Sequence, residues 1–360
     1  MKRLKAFKYR IYPNKSQQIQ LAKTFGCVRY FQNHLINIFN SESEEKREYP
    51  TSTNFRKNED WLQEVSAAAL QQKEIDFKEF KKQFFNEKRK TKVGRPKFKK
   101  KTGKQSYRLP NQKFKLFKQE SRIKLEKISK IKIIQDRFIP DDARILSITI
   151  SLEPSGEYYA SILTEIEMQA FSKTQKEVGI DVGIKTFLTQ SDGIEICNPK
   201  FFSKNQAKLK KLQQHFSRKK KGSNRREKCR LKIAKLHRKI SNQRDHFLHN
   251  YSLFLIKNYD LMVIEDLNVK GLIEKKKLSK YISDVSWSKF FQMLQYKSDW
   301  YGKEIRKIDR YYASSKTCGC GQINQDLKLS DRKWTCSSCG TVNDRDLLAA
   351  QNILKKGTEI

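Results

Sequence analysis

The sequence predicts a multidomain protein that combines α and β structure, and three observations support this prediction. Its 360 residues exceed what one small hydrophobic core usually organises. The first half has strand-like segments on both sides of helical ones. After a polar bridge around residues 172–177, strands and helices alternate along the chain, which is typical of α/β units.

The first half is predicted to be β structure with a helical insertion. The patterns place strands at residues 2–12, 113–135 and 145–167, and helices at 15–40 and 60–90. Pro13 ends the first strand because proline cannot donate to a strand ladder. EPSGE at 153–157 predicts a hairpin turn. The acidic stretch 41–50 is predicted to be a loop, and 93–104 is too rich in Gly, Pro and Lys for a regular element.

The second half is predicted to begin with the strand VGIDV, after which an SDG turn at 191–193 sends the chain back as an antiparallel partner. The elements that follow are two basic helices at 201–220 and 225–258, the apolar strand LMVIE at 261–265, a helix, a strand at 304–312 and a final helix, DLLAAQNILKK. Aromatic and apolar residues recur at helical spacing in the third helix. They are Trp287, Phe290, Phe291 and Leu294, and this stripe predicts core packing rather than a stacking platform for nucleic acid.

The charge of the chain indicates a polyanionic partner. There are 77 Lys and Arg against 39 Asp and Glu, so the formal net charge of +38 repels itself unless a polyanion or counterions offset it. Residues 205–240 alone hold fifteen Lys or Arg and one acid, Glu227. An ordinary solvated helix face mixes charge signs to form i,i+4 pairs, and this segment does not. We therefore expect contact with phosphates of a nucleic acid.

Membrane and secretory classes are disfavoured. A membrane surface is the competing partner for basic charge, but the sequence has no run of about 18 apolar residues to span a bilayer. The first residues have no apolar core of a signal peptide, so we expect the reducing cytoplasm. Seven cysteines fit that compartment, with three scattered as expected core fillers and four clustered near the C-terminus.

Carboxylates occupy costly positions at the ends of predicted elements. Asp181 lies within an apolar strand, Glu265 ends another, and Asp344 and Asp346 begin the last helix. A buried unpaired carboxylate costs several kcal/mol or becomes protonated, and a divalent cation removes that cost. Such a trio can hold two Mg²⁺ ions about 3.5–4 Å apart and hydrolyse a phosphodiester.

Each acid also has a simpler explanation. Asp181 could pair with Lys185, Asp266 beside Glu265 could cap the next helix, and Asp344 or Asp346 could complement a helix dipole. The order of the elements and the positive charge of the chain together favour the nuclease interpretation.

The clustered cysteines predict a structural zinc site. The segment CGCGQINQDLKLSDRKWTCSSCG has C-x-C, fifteen intervening residues and then C-x₂-C, so Cys318, Cys320, Cys336 and Cys339 can supply four thiolates. Two thiolate pairs separated by a hairpin-sized loop form a tetrahedral ribbon-type site. The first pair is one residue shorter than a standard knuckle, and Gly319 and Gly321 are expected to relieve its backbone. Redox-active or merely buried thiols are the alternatives.

Five segments, in order, resemble the TnpB family of transposon-associated RNA-guided DNA nucleases, relatives of type V CRISPR effectors. They are residues 5–36, VGIDVGIKTFLTQSDG, LMVIEDLNVKGL, residues 286–321 and CSSCGTVNDRDLLAAQNI, so the resemblance extends over nearly the whole chain. The sequence departs from the family pattern in its C-x-C knuckle and at Leu348, where the family usually has Asn.

The resemblance implies a multidomain α+β fold with a RuvC-like nuclease domain of RNase H fold. The implied domains are a β-barrel wedge domain at 1–13 and 105–171, a helical recognition insert at 14–104, the nuclease domain at 172–313 and 343–360 with a helical-hairpin insert, and a zinc ribbon at 314–342. Carried over by position, Asp181, Glu265 and Asp346 would be the catalytic ligands of two Mg²⁺ ions. The four clustered cysteines would hold one structural Zn²⁺.

The activity implied is that of an RNA-guided, Mg²⁺-dependent DNA endonuclease, with one protein bound to one guide RNA derived from the transposon end. The RNA would pair with target double-stranded DNA beside a short flanking motif. We expect motif reading near Tyr9, Arg10, Tyr30 and Asn33. Phosphate contacts are expected at Lys219, Lys220, Lys221, Arg225 and Arg226, and also at Lys97, Lys99 and Lys100.

Three other functions remain open. A nuclease-inactive RNA-guided repressor would share the architecture, and Leu348 is the feature that favours it. A strand-joining transposase would need its acids in a shorter catalytic core or a nucleophilic tyrosine. A general RNA-binding protein with a zinc ribbon would leave the buried acids unexplained.

Overall fold

The computed structural model describes residues 2–41, 48–89, 91–274, 279–328 and 330–359. The described residues form two compact units, Met1–Glu167 and Met168–Ile360. Six residues of the predicted acidic loop, 42–47, lie outside the described residues.

The first unit is built on one antiparallel sheet. Its described strands are β1 (Lys2–Tyr12), β2 (Gln105–Pro110), β3 (Phe114–Phe117), β4 (Arg122–Leu125), β5 (Ile128–Ile134), β6 (Arg144–Leu152) and β7 (Tyr158–Glu167). They pair in the order β2-β6-β7-β1-β5-β4-β3. The two edge strands, β2 and β3, are consecutive in the chain and are joined only by the short turn Asn111–Lys113. The edges therefore meet at a corner, and the sheet curls into a nearly closed barrel.

Alternate residues of the central strand fill this barrel. Phe7, Tyr9 and Ile11 of β1 are each at most 3% exposed, while their neighbours point away from the core. The predicted strand at 2–12 and the EPSGE hairpin turn are confirmed. Strand β2 was not predicted. Gln105, Tyr107 and Leu109 alternate as its buried residues, but the sequence QSYRLP contains polar residues and a proline and does not look like a strand.

The helical part of the first unit differs from the prediction after residue 41. It consists of α1 (Lys15–Ser41), α2 (Ser52–Lys57), the 3-10 turn Asp60–Glu64 and α3 (Ala67–Phe84). Helix α1 is confirmed, and a helix lies within the predicted range 60–90, but it spans only Ala67–Phe84. The hydroxyl of Thr51 accepts the amide of Asn54 and starts α2, a short helix that the sequence did not predict. Val65, after the 3-10 turn, is extended, so α3 begins later than predicted. Residues 93–104 have no helix or strand, as predicted.

The second unit contains a mixed sheet in the order β10-β9-β8-β11-β12. Its strands are β8 (Glu177–Val182), β9 (Thr186–Gln190), β10 (Glu195–Cys197), β11 (Leu261–Glu265) and β12 (Glu304–Ile308). Strand β11 runs parallel to β8 and β12, whereas β9 is antiparallel to β8 and β10. The strand predicted at 304–312 ends at Ile308, because the Asp309 carboxylate accepts the amide of Tyr311 and turns the chain.

The second unit has six described helices, and two of them form the long basic segment. They are α4 (Phe201–Ser217), α5 (Asn224–Asn258), α6 (Val269–Glu274), α7 (Ser279–Val285), α8 (Trp287–Tyr301) and α9 (Arg345–Thr358). The two predicted basic helices are confirmed as α4 and α5. The predicted core stripe of α8 is also confirmed, since Trp287, Phe290 and Leu294 are at most 5% exposed and Phe291 packs partly against the same core.

Helix α9 lies directly on the sheet because two glycines allow close approach. A Cβ atom at Gly179 of β8 would lie 2.1 Å from the carbonyl oxygen of Ala350. A Cβ atom at Gly357 would lie 2.2 Å from Cγ1 of Val263 in β11. No L side chain fits at either position, so these contacts fix the distance between α9 and the two central strands.

A small ribbon precedes α9. Strands β13 (Lys333–Thr335) and β14 (Val342–Asp344) form its antiparallel pair, and an isolated bridge joins Thr317 to Ile323. In the described part of the chain, every helix is too short or too polar to span a bilayer.

Candidate active site and cysteine centre

Three carboxylates from separate elements line one cavity of about 460 Å³. Asp181 lies near the end of β8 and Glu265 ends β11, and the preceding residues of these parallel strands, Ile180 and Ile264, are register partners. Asp346 lies in the first turn of α9, one turn before the residue that contacts Gly179. Neighbouring parallel strands and a helix packed on them therefore bring together acids that are more than 80 residues apart in the sequence.

The surroundings of Asp181 disfavour its charge. Burial, followed by the nearby carboxylates of Glu265 and Asp346, raises the pKa of Asp181 to about 7, although Arg345 acts in the opposite direction. Burial also raises the pKa of Glu265, and a hydrogen bond from the Ser314 hydroxyl (2.6 Å) partly opposes this effect. The cavity therefore favours either a proton or a cation at its acids.

The carboxylate of Asp346 pairs with an arginine of the ribbon. The guanidinium of Arg332, directly before β13, donates to both carboxylate oxygens at 2.9 Å. The backbone amide of Arg345 donates to the carbonyl of Arg332 at 2.8 Å, which ties the start of α9 to the ribbon. Asp344 instead caps α9, since its carboxylate accepts the amides of Asp346 and Leu347. Only one of the two acids that begin this helix is thus directed into the cavity.

The spacing of the acids differs from that of a single-ion site. Among the described residues, the cysteine cluster is the only set of three or more His, Cys, Asp or Glu side chains whose ligand atoms all lie within 4.8 Å of one another. The three carboxylates share a cavity without closing to that spacing.

Asp266 lies beside Glu265, and the sequence left open that it caps the next helix. It forms ion pairs with Arg310 and, at 4.0 Å, with Lys307. The amide of Gly271 in the next helix is capped by Asn268, not by Asp266. The alternative that Asp266 caps this helix is therefore wrong.

Several residues that support the site were not identified from the sequence. Ser314 and Arg332 contact the acids directly, and Asn352 donates to the carbonyls of Ser314 (2.8 Å) and Thr317 (2.6 Å). The segment DRDLLAAQN could have drawn attention to Asn352 as a polar residue two turns after Asp346. Leu348 is buried against Cys318 and Trp334, so an apolar contact with the ribbon occupies the position where TnpB proteins usually have Asn.

The four clustered cysteines converge on one point. All four Sγ atoms lie within 4.8 Å of one another, and two of the pairs, Cys318–Cys339 and Cys320–Cys336, are separated by 3.7 Å. Disulfide-bonded sulfurs lie about 2.05 Å apart. Four sulfurs placed tetrahedrally about 2.3 Å from a zinc ion are about 3.8 Å apart. The donor set and its spacing therefore fit a tetrahedral zinc site.

Groups around two of the cysteines favour thiolates, whereas, although the backbone of Gln322 lowers it, the neighbouring sulfurs of the cluster raise the pKa of Cys320 to about 11. The hydroxyl and amide of Thr341 lower the pKa of Cys339 to about 6. The side-chain amide of Asn343 donates to Sγ of Cys318 at 3.5 Å. Gly321 has φ +93°, a left-handed conformation that closes the shortened first knuckle, as its sequence position suggested.

Two residues expected to read a DNA motif lie on β1, and one expectation needs correction. Tyr9 is 1% exposed and its hydroxyl donates to the carbonyl of Arg137, so it is a core residue and cannot contact bases. The strand register explains the error, because odd-numbered residues of β1 face the barrel interior. Arg10 faces outward, but its guanidinium pairs with Glu157 and lies over the ring of Tyr159.

The other expected contacts of the first unit lie on or near an exposed basic segment. Tyr30 is 43% exposed, and its ring packs against that of Trp61 at an interplanar angle of 58°. The amide group of Asn33 is bonded at both ends to the backbone of Lys99, so Asn33 holds this segment in place rather than reading bases. The expected phosphate contacts of this segment all have exposed side chains; they are Lys97, Lys99 and Lys100.

The expected phosphate contacts of the second unit surround the turn between α4 and α5. Lys220, Lys221 and Arg225 are exposed, and Lys219 is partly exposed. Arg226 differs, since its guanidinium lies 3.9 Å from the ring centroid of Phe216 and donates to the carbonyls of Phe216 and Lys219. Arg226 therefore closes the helical hairpin, and its capacity for phosphate is reduced.

Comparison with known proteins gives consistent matches along the chain. Family models match residues 161–276 ("Probable transposase"), 287–353 ("Cas12f1-like, TNB domain") and 1–48 ("Helix-turn-helix domain"). A Streptomyces pristinaespiralis protein assigned as an RNA-guided DNA endonuclease is 38% identical, covering 98% of this chain and 89% of its own. An Escherichia coli K12 protein with the same assignment is 30% identical, covering 99% and 93%.

A solved structure has a similar fold. The protein in a cryo-EM structure of a Cas12f1–sgRNA–target DNA complex superimposes with a TM-score of 0.57, and the match covers 98% of both chains. The two sequences are 16% identical, so this likeness concerns the fold alone. It supports a multidomain α+β architecture for the chain.

Proposed function

Because the chain belongs to the TnpB family of RNA-guided DNA endonucleases, we propose that it hydrolyses target DNA in the cavity lined by Asp181, Glu265 and Asp346. The observation that carries this proposal is the convergence of three carboxylates from β8, β11 and α9 on one cavity. Burial and mutual repulsion raise the pKa of Asp181 to about 7, and a structural role alone does not require that cost.

The three acids suit Mg²⁺, which prefers carboxylate oxygens. Asp181, Glu265 and Asp346 would hold two ions, and bound Mg²⁺ would supply an activated water and stabilisation of the leaving oxygen. The hydroxyl of Ser314 orients Glu265, and Asn352 holds the loop that carries Ser314. Arg310, Lys316 and Lys185 line the same cavity and would attract the phosphate backbone.

The ribbon would hold one structural zinc ion through Cys318, Cys320, Cys336 and Cys339. Its role follows from what it touches. Arg332 and Arg345 join the ribbon to the start of α9, and Leu348 packs against its buried cysteines. Zinc would therefore hold the segment that orients Asp346.

Sequence recognition would come from RNA. We assign the guide to a transcript of the transposon end, one copy per protein, and the target to double-stranded DNA with a short flanking motif. The first unit, with a wedge-type barrel and a helical insert, would bind the guide and read the motif through exposed residues such as Tyr30 and Lys97. The division into wedge, recognition, nuclease and ribbon domains, and action in the cytoplasm, belong to the same proposal.

The proposal is tested with the RNA that purifies with the protein. The RNA is sequenced, and the complex is incubated with Mg²⁺ and plasmids that carry the guide-matched target beside randomised flanks. We expect cleavage of a subset that shares a flank, and none with Asp181→Ala, because the remaining acids cannot hold the same cations. Asp141→Asn, a change at a fully exposed acid, should cut at the parental rate. Parental cutting by the Asp181→Ala variant would refute the assignment.

A nuclease-inactive RNA-guided repressor is the second candidate. The observation that favours it is the pairing of both Asp346 oxygens with Arg332, which leaves that carboxylate engaged by a cation of the chain itself. A repressor would bind a matched target in the same experiment without cutting it at any Mg²⁺ concentration. Binding would then be equal for the parental protein and the Asp181→Ala variant.

A further inference from the structure

A second cavity of the same unit lies next to the acidic one. It has a volume of about 730 Å³, within the range of about 300–1,000 Å³ that is usual for ligand sites. The β8–β9 turn at residues 182–185 lines both cavities, and so does Arg332. We call this second cavity the side cleft; its other walls are the start of α4, Tyr281 of α7 and Trp287 of α8.

The side cleft is positively charged. Lys185 and Lys200 line it, as does Arg332, whose guanidinium is already paired with Asp346, and Asp284 is the one acid among the described lining residues. The carboxylate of Asp284 accepts the amide of Phe202 at 3.1 Å and pairs with Arg244 at 2.8 Å, so its charge is already offset. The cleft therefore favours a ligand that carries negative charge.

The side cleft also offers an aromatic surface. Tyr281 is 47% exposed although it lines the cavity, and the buried Trp287 also lines it. An exposed aromatic ring among lysines is the combination that binds unpaired nucleotides, whose phosphates contact the lysines while the base stacks on the ring. A paired base has its faces covered by its neighbours and cannot use such a ring.

The walls of the cleft are fixed in place by hydrogen bonds. The side-chain amide of Asn198 donates to the carbonyl of Ile184 at 2.7 Å, and its oxygen accepts the amide of Lys200 at 3.0 Å. Lys200 has φ +52°, a left-handed conformation that is strained for a lysine. It places Lys200 at the start of α4, whose positive dipole end adds to the charge of the cleft. The site is thus preformed.

We infer that the side cleft binds one unpaired DNA nucleotide of the strand that is cut, adjacent to the phosphate in the acidic cavity. This inference rests on the proposed function, because it takes the strand in the acidic cavity to be DNA. A strand that passes between the two cavities must cross the β8–β9 turn, where Lys185 contacts both. Tyr281 would hold the neighbouring base and Lys200 its phosphate.

Photo-cross-linking tests the binding without requiring cleavage. Single-stranded DNA that carries 5-iododeoxyuridine is bound to the protein with its co-purified RNA in EDTA, irradiated, and mapped by mass spectrometry. We expect adducts in the peptide that contains Tyr281, reduced at least fivefold by Lys200→Glu. Lys257→Glu is the matched control, because it makes the same charge change on an exposed lysine near the end of α5, outside the basic segment 205–240 and not among the lining residues of either cavity. RNA of the same sequence should compete poorly.

Single-turnover cleavage of the guided target then tests the role of the ring. We expect Tyr281→Ala to cut about tenfold more slowly and Tyr281→Phe to cut near the parental rate, because stacking needs the ring and not the hydroxyl. Tyr281 is half exposed, so its truncation should leave the melting temperature within about 2 °C of the parental value.

The outcomes separate this inference from the proposed function. If the protein cuts but adducts map only to the basic helices α4 and α5, the side cleft is not a nucleotide site. If the protein does not cut but Tyr281 is cross-linked to DNA, the cleft binds DNA and the hydrolytic proposal fails. Efficient competition by RNA would overturn the assignment of the ligand as DNA.

Discussion

Asp181 is a single residue whose position indicates function, because a carboxylate inside an apolar strand is energetically unfavourable. Its place inside an apolar strand was apparent from VGIDVGI alone, because a charge is expensive there. The sequence could not reveal how that charge is surrounded. Ser314 and Arg332, which contact the neighbouring acids, lie in loops whose path depends on the ribbon.

The raised pKa of Asp181 predicts a pH-dependent stability. Its folded pKa, about 7, lies above the ordinary value of 3.8, so the folded state binds the proton more tightly than the unfolded chain. Stability from this group is fully present below about pH 4 and is lost as the pH rises through 7. In EDTA, Asp181→Asn should therefore stabilise the protein more at pH 8 than at pH 5, by roughly 2–3 kcal/mol.

Chemical denaturation at the two pH values measures this difference. Asp141→Asn is the control: Lys118 lowers the pKa of the exposed Asp141 below its ordinary value of 3.8, so this carboxylate is ionised at both pH values and the substitution should change stability equally at both. An equal effect of Asp181→Asn at both pH values would show that the carboxyl of Asp181 is not perturbed.

At the scale of elements, the sequence predicted strands and long helices well and boundaries less well. The alternation in β1 and the helical stripe of α8 are local sequence patterns, and the residues that they mark as apolar are the ones that are buried. The helix predicted at 60–90 is shorter than expected, because a 3-10 turn at Asp60–Glu64 and the extended Val65 precede it. The prediction that Tyr9 contacts DNA is wrong. Pairing with distant strands decides which face of β1 points into the barrel, and the local sequence does not show this.

The packing of α9 against β8 predicts a strong effect of Gly179→Ala. The new Cβ would lie 2.1 Å from the carbonyl of Ala350, which is backbone and cannot rotate away. We expect a loss of about 1–3 kcal/mol of stability or more, measured by denaturation. Cleavage should also be lost in folded protein, because Asp346 moves with α9. Gly26→Ala in α1 has open space around its Cβ and should be neutral or slightly stabilising.

The cysteine cluster predicts how the zinc content and the protease sensitivity of the ribbon respond to loss of one thiol. Cys336→Ser should reduce bound zinc, measured by atomic absorption, from about one ion per chain to well below that value. Limited proteolysis should then cleave between residues 314 and 346, since zinc links both ends of this segment. Cys197→Ser, at an exposed cysteine outside the cluster, should retain the metal. Full zinc content in the Cys336→Ser protein would contradict the ligand assignment.

At the scale of the whole molecule, a net charge of +38 favours a polyanionic partner, and the structure shows where part of that charge is exposed. Lys219, Lys220 and Lys221 lie at the α4–α5 turn without regular structure to bury them. If these three contact RNA phosphates, changing them to Ala should make the slope of log affinity against log salt shallower by about 2, since each phosphate contact on a single strand contributes about 0.7. Fluorescence anisotropy with the co-purified RNA between 50 and 400 mM NaCl measures that slope. Weaker binding with an unchanged slope would mean that the lysines support the fold of the hairpin and that the RNA lies elsewhere.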